Sequence, residues 1–119
     1  MSLPPPKTIN GVTCTILAAH PIAQPSGSEN RIVLLQYPPG VPLPPHTHPV
    51  DGVNYIIQST VESEGEVDDK IEVFKQWKMF LDYPETNHMP MKNPTTEVES
   101  KLLVSHVIMK GVPNVVMCE

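Results

Sequence analysis

The chain has 119 residues, 39% of them hydrophobic and 15 of them proline, and a formal net charge of −5. That length suits one domain with a single core, and an acidic balance without a Lys/Arg-rich run argues against a nucleic-acid or anionic-membrane partner. No window approaches the ~20 apolar residues of a membrane span, no leader opens the chain, and Cys14 and Cys118 read as free thiols, so the expectation is a soluble cytoplasmic protein.

Residues 1–11 read as an N-terminal arm, of which Met1-Ser2-Leu3, like Glu119 at the other end, is expected to be vector-derived. The segment 12–19 is rich in β-branched residues and closes before His20-Pro21, which predicts a strand. A turn-like run at 24–28 leads to a second strand over 31–37, stopped by Pro38-Pro39-Gly40. A proline-stiffened loop follows, then a strand predicted over 53–61 and a turn at Glu64-Gly65-Glu66. Residues 71–81 alternate with a period of two, which predicts one strand. Ile71, Val73, Trp77, Met79 and Leu81 would share an apolar face, with Phe74 and Phe80 out of place on the polar one. A second proline-rich loop spans 83–96, a strand is predicted over 102–109, and 115–117 suggests a short tail strand. Six or seven short strands with turn signals between them predict one all-β domain over 1–119, a sandwich or small barrel.

The chemistry lies in the histidines. His46-Thr47-His48 places two imidazoles at i and i+2, which an extended backbone sends to the same side. His88, from the second loop, would complete a three-nitrogen site with open positions for water or substrate. By spacing alone the pair reads equally as two exposed loop residues. His20, at a strand end, carries no signal, and His106 reads as a core histidine within the last strand.

Gly40-x5-His46-x-His48 with the strand Tyr55-Ile56-Ile57, and later Pro84-x3-His88 with Asn93 downstream, resembles the two motifs of the cupin superfamily over roughly 30–110. The resemblance implies a small jelly-roll β-barrel, a homodimer, and a divalent metal held by His46, His48 and His88. The chain departs from that pattern where cupins usually carry a fourth ligand, most often Glu: those positions are Gly52 and Val53. Asp51, one residue early, is an additional ligand or acid/base only if the loop bends, since alternation sends it to the opposite face. Asn54 shares the parity of Gly52 and can hydrogen-bond inward. Ser59 stands where the first motif usually closes on glycine, and the second motif lacks its glycine.

Three neutral ligands favour Fe, Zn, Ni, Cu or Mn over Mg²⁺ or Ca²⁺, which prefer oxygen donors. Tyr55, Gln58, Trp77 and Met79, with Met89 and Met91, are candidates to line a pocket, although barrels also use such residues as plain packing. The expected function is a metal-dependent cupin of dioxygenase, isomerase or lyase type acting on a small organic substrate. The rival is a non-catalytic ligand-binding or structural barrel whose metal site is degenerate or has lost its metal. A third reading is an all-β interaction domain with incidental histidines.

Overall fold

The computed structural model describes residues 3–43, 46–47, 49–64, 71–82, 91–113 and 116–117. These form strands and turns and no helix: β1 (Lys7–Ile9), β2 (Val12–Pro21), β3 (Ser28–Tyr37), β4 (Pro42–Leu43), β5 (His46–Thr47), β6 (Gly52–Gln58), β7 (Thr60–Glu64), β8 (Ile71–Lys75), β9 (Met79–Asp82), β10 (Met91–Lys92), β11 (Ser100–Met109) and β12 (Val116–Met117). A six-stranded sheet runs β1-β2-β3-β11-β6-β9, a four-stranded sheet β4-β10-β7-β8, and β12 pairs with β5. Each pairing is antiparallel. The predicted all-β jelly-roll class holds.

Two expectations change. Residues 7–9 are not a loose arm but a strand, because Asn10 (φ 50°) and Gly11 (φ 86°) form a two-residue hairpin turn that returns the chain as β2. Both central residues of that turn need positive φ, and Asn-Gly is the dipeptide that tolerates it best. The core accordingly extends outside 30–110, with Val12 buried and Ile9 and Ile16 packed against it.

The predicted strands at 53–61 and 71–81 each break in two. Ser59 (φ 62°) and Trp77 (φ 69°) turn the backbone through left-handed conformations, so β6 and β9 pair in the large sheet while β7 and β8 pair in the small one. The two breaks lie side by side: the Trp77 amide donates to the Ile56 carbonyl at 2.8 Å, and the Ile56 amide to that of Lys78 at 3.0 Å. Together they make one long hairpin that bends across the corner of the molecule.

That bend decides what is inside. Phe74 and Phe80 pack against the core with ring centroids 4.5 Å apart, whereas Val73, Trp77, Met79 and Leu81 are exposed. The face expected to be buried is therefore the outer one. The parity itself carries through the corner, with odd-numbered residues outside and Phe74 and Phe80 inside on either side of Trp77, so only the choice of inward face is reversed. The core itself gathers Val12, Val33, Tyr37, Ile56, Leu102 and Val104 from the large sheet against Val61 of β7.

Candidate functional site

The inward face of β6 carries Gly52, Asn54 and Ile56, all buried, while Asp51, Val53 and Tyr55 are exposed. This alternation places the missing acid. At Gly52, where a carboxylate would point into the barrel, there is no side chain. Asp51 faces away, in the wall of a hollow on the outer surface, and offers no inward oxygen.

Asn54 is 3% exposed, and its Nδ2 has no hydrogen-bond partner among the described residues. It is flanked in register by Phe80 on β9 and Val104 on β11, so its surroundings are apolar. An unpaired buried amide costs about 1–3 kcal/mol, and a native interior rarely keeps one without a use.

Of the three candidate metal ligands, His46 begins β5, held in register with Met117 of β12. Its side chain and the whole of His48 and His88 lie outside the described residues. Among the described residues no group of three or more His, Cys, Asp or Glu side chains is gathered to hold a metal.

The proposed pocket residues separate. Gln58 donates to the Glu99 carbonyl at 2.9 Å and ties β6 to the chain entering β11. Tyr55, Trp77 and Met79 are 40%, 60% and 50% exposed, and the structure does not bring them into the interior. His20 is exposed at the end of β2, and His106 is buried on β11 opposite Arg31. Met89 and Cys118 lie outside the described residues, as does the side chain of Met91, while Cys14 is partly buried on β2.

Sequence reasoning missed one polar feature and named another, Asn93, without giving it a role. Arg31 donates from Nε to Glu29 Oε2 at 2.8 Å and from Nη1 to the Val112 carbonyl at 2.8 Å, a buried pair that ties β3 to the segment after β11. A charged i, i+2 pair running into the apolar stretch Ile32-Val33-Leu34-Leu35 was the available signal. It forms part of the wall of a cavity of about 390 Å³ that Cys14, Ile16 and Leu3 also line.

The second feature is Asn93, which is fully buried. Its amide donates to the carbonyls of Tyr37 and Val98, and its Oδ1 accepts from both the backbone and the hydroxyl of Thr95. The Gly40 amide donates to its carbonyl at 2.9 Å. The asparagine of the second motif thus anchors the connection ahead of β11 to the chain that leads toward His46.

Solved structures share this architecture. The chain is similar to a protein with a double-stranded β-helix domain from Klebsiella pneumoniae subsp. pneumoniae MGH 78578 (TM-score 0.66, 15% identity, 95% of this chain and 90% of that one). It is also similar to an RmlC-like cupin from Shewanella frigidimarina NCIMB 400 (TM-score 0.66, 18% identity, 90% and 86%). A third likeness is to an acetylacetone dioxygenase from Acinetobacter johnsonii (TM-score 0.61, 17% identity, 83% and 61%). The last is a longer chain, of which this one spans less than two thirds. No protein-family profile and no curated protein matches the sequence. The fold is that of the cupins, the double-stranded β-helix.

Proposed function

We propose that this cupin barrel binds a divalent transition metal (Fe, Zn, Ni, Cu or Mn) through His46, His48 and His88 and takes a small organic ligand beside it. The ligand class that fits is a carbonyl, hydroxy-acid or enol compound. The observation that carries this reading is the orphaned Asn54 amide, buried on the inward face two residues from Gly52. Its Nδ2 is a free donor aimed at no protein group among the described residues, and an oxygen of the ligand is the acceptor it would meet.

Gly52 leaves space where a carboxylate would otherwise reach the metal. The apolar residues beside Asn54 keep water from competing for its hydrogen bond, which strengthens that bond in a low-dielectric interior. When bound, the metal supplies Lewis-acid polarisation of a chelated oxygen or, if it is iron, activation of O₂. An acetylacetone dioxygenase among the similar structures supports the dioxygenase form of this reading. The absent acid at Gly52 favours a second form, in which the barrel binds its ligand without turning it over.

The test is metal analysis of the untagged protein by plasma mass spectrometry, alongside His48→Ala and His88→Ala. Stoichiometric metal in the parent and its loss in both variants are expected. Trace metal that both substitutions leave unchanged would overturn the proposal. Asn54→Leu separates ligand binding from metal binding. Without ligand it should be about 1 kcal/mol more stable than the parent, because it removes an unpaired donor. Keto and hydroxy acids that raise the melting temperature of the parent should raise it less in this variant. Metal binding in full with no O₂ uptake or turnover across those acids would select the non-catalytic form.

A further inference from the structure

A cavity of about 390 Å³ lies toward the β1 edge of the large sheet, within the range of roughly 300–1,000 Å³ that small-molecule sites occupy. Ile9, Cys14 and Ile16, which pack against the core, line it from β1 and β2. Val112 and Pro113 line it from the segment that follows β11. That segment is fixed in place. The Lys110 amide donates to the Gly27 carbonyl and the Val112 amide to that of Met109, each at 3.1 Å. Arg31 Nη1 donates to the Val112 carbonyl at 2.8 Å. None of these residues belongs to the proposed metal site.

The charges around the cavity are uneven. Lys7, Arg31 and Lys110 line it against a single acid, Glu29. In a chain with 8 basic and 13 acidic residues this is a local reversal of sign. Arg31 and Glu29 are buried and neutralise each other at 2.8 Å. Burying an ion pair strips both charges of water, so a purely structural wall would gain as much from apolar side chains. The surplus is Lys7 and Lys110, both exposed and neither ion-paired among the described residues. Lys7 comes from β1, in register with Cys14, and Lys110 from the end of β11. A lysine on an edge strand such as β1 also discourages pairing with another sheet. Lys110 has no edge to guard, yet it lines the same apolar cavity.

We infer that this cavity binds a small amphipathic organic anion, a carboxylate on a short apolar chain, independent of whether a metal occupies the barrel. The apolar chain would lie along Ile9, Ile16 and Val112, and the carboxylate would meet the two ammonium groups at the mouth. The Arg31–Glu29 pair holds the Val112 wall against which the ligand rests. A neutral ligand would leave the surplus charge unmet, and a bare anion would leave the apolar floor uncovered.

Octanoate is the probe, and Cys14 reports on the cavity that it lines. In Cys118→Ser the one remaining cysteine is Cys14, so alkylation by neutral iodoacetamide reads its accessibility. With a chelator present throughout, octanoate at ten times its Kd should slow alkylation about tenfold, in proportion to the cavities left empty. Acetate (the charge without the chain) and 1-octanol (the chain without the charge) should each need a higher concentration for the same protection. Lys7→Gln with Lys110→Gln, both at exposed positions, should weaken octanoate about tenfold and leave 1-octanol unchanged. His48→Ala should be protected as the parent is, which separates this site from the metal. Isothermal calorimetry on the same proteins measures Kd directly, so a slow thiol leaves the test intact. Octanoate that does not bind, or that binds the double variant as tightly as the parent, would overturn the inference. Binding that disappears in His48→Ala would overturn it too, because the anion would then be held at the metal site.

Discussion

Ser59 and Trp77 hold the same left-handed backbone at φ 62° and 69°, for opposite reasons. At Ser59 nothing in the side chain requires it: the chain needs positive φ to leave the large sheet, and glycine is the residue that adopts it freely. This explains the glycine that usually closes the first cupin motif. Ser59→Gly should raise stability by about 0.5–1 kcal/mol, the left-handed penalty less the extra unfolded-state entropy of glycine, and Ser59→Val should lower it. Urea denaturation of the two variants against the parent checks both signs. Asn93 is the other residue whose role is conformational. It donates to two carbonyls and accepts from Thr95, so Asn93→Asp, which can only accept, should fail nearly as badly as Asn93→Ala. A loss of about 3 kcal/mol is expected for either, readable by the same denaturation.

At the scale of elements, the bent hairpin of β6–β7 and β8–β9 sets the faces of both sheets. Its two arms cross together, and the Phe74–Phe80 contact fills the crease between β8 and β9. Neighbouring residues on β8 should therefore respond very differently. Phe74→Ala should cost about 3 kcal/mol, whereas Val73→Ala, 52% exposed on the opposite face, should cost less than ~1. Thermal unfolding of the pair measures the difference, and equal losses would mean that the faces are assigned the wrong way round. The strands at 12–19, 31–37 and 102–109 were legible because each stays in one sheet, although a bulge between Ile16 and Ala18 shifts the register of β2 against β3. The arm at 7–9 was legible too, through Asn10-Gly11, had the dipeptide been weighed as a hairpin. The corners at 59 and 77 were not, because neither serine nor tryptophan marks positive φ in a sequence.

For the whole molecule, the proposed metal and ligand would each act on the folded state. Each should stabilise it in proportion to the logarithm of the concentration over Kd. Treatment with a chelator should lower the melting temperature of the parent by several degrees and leave His48→Ala unmoved, which differential scanning calorimetry can follow. The sequence by itself determined the strand-rich composition, the period of two and the H-x-H spacing, because each depends on neighbours in the chain. It also located the missing acid at Gly52 and the inward parity of Asn54, since both lie on one uninterrupted strand. Only the tertiary structure decided which apolar face is buried between 71 and 81, that the Asn54 Nδ2 has no partner among the described residues, and that Arg31 and Glu29 pair inside. Those outcomes depend on which strands meet across the two sheets, and residues far apart in sequence settle them.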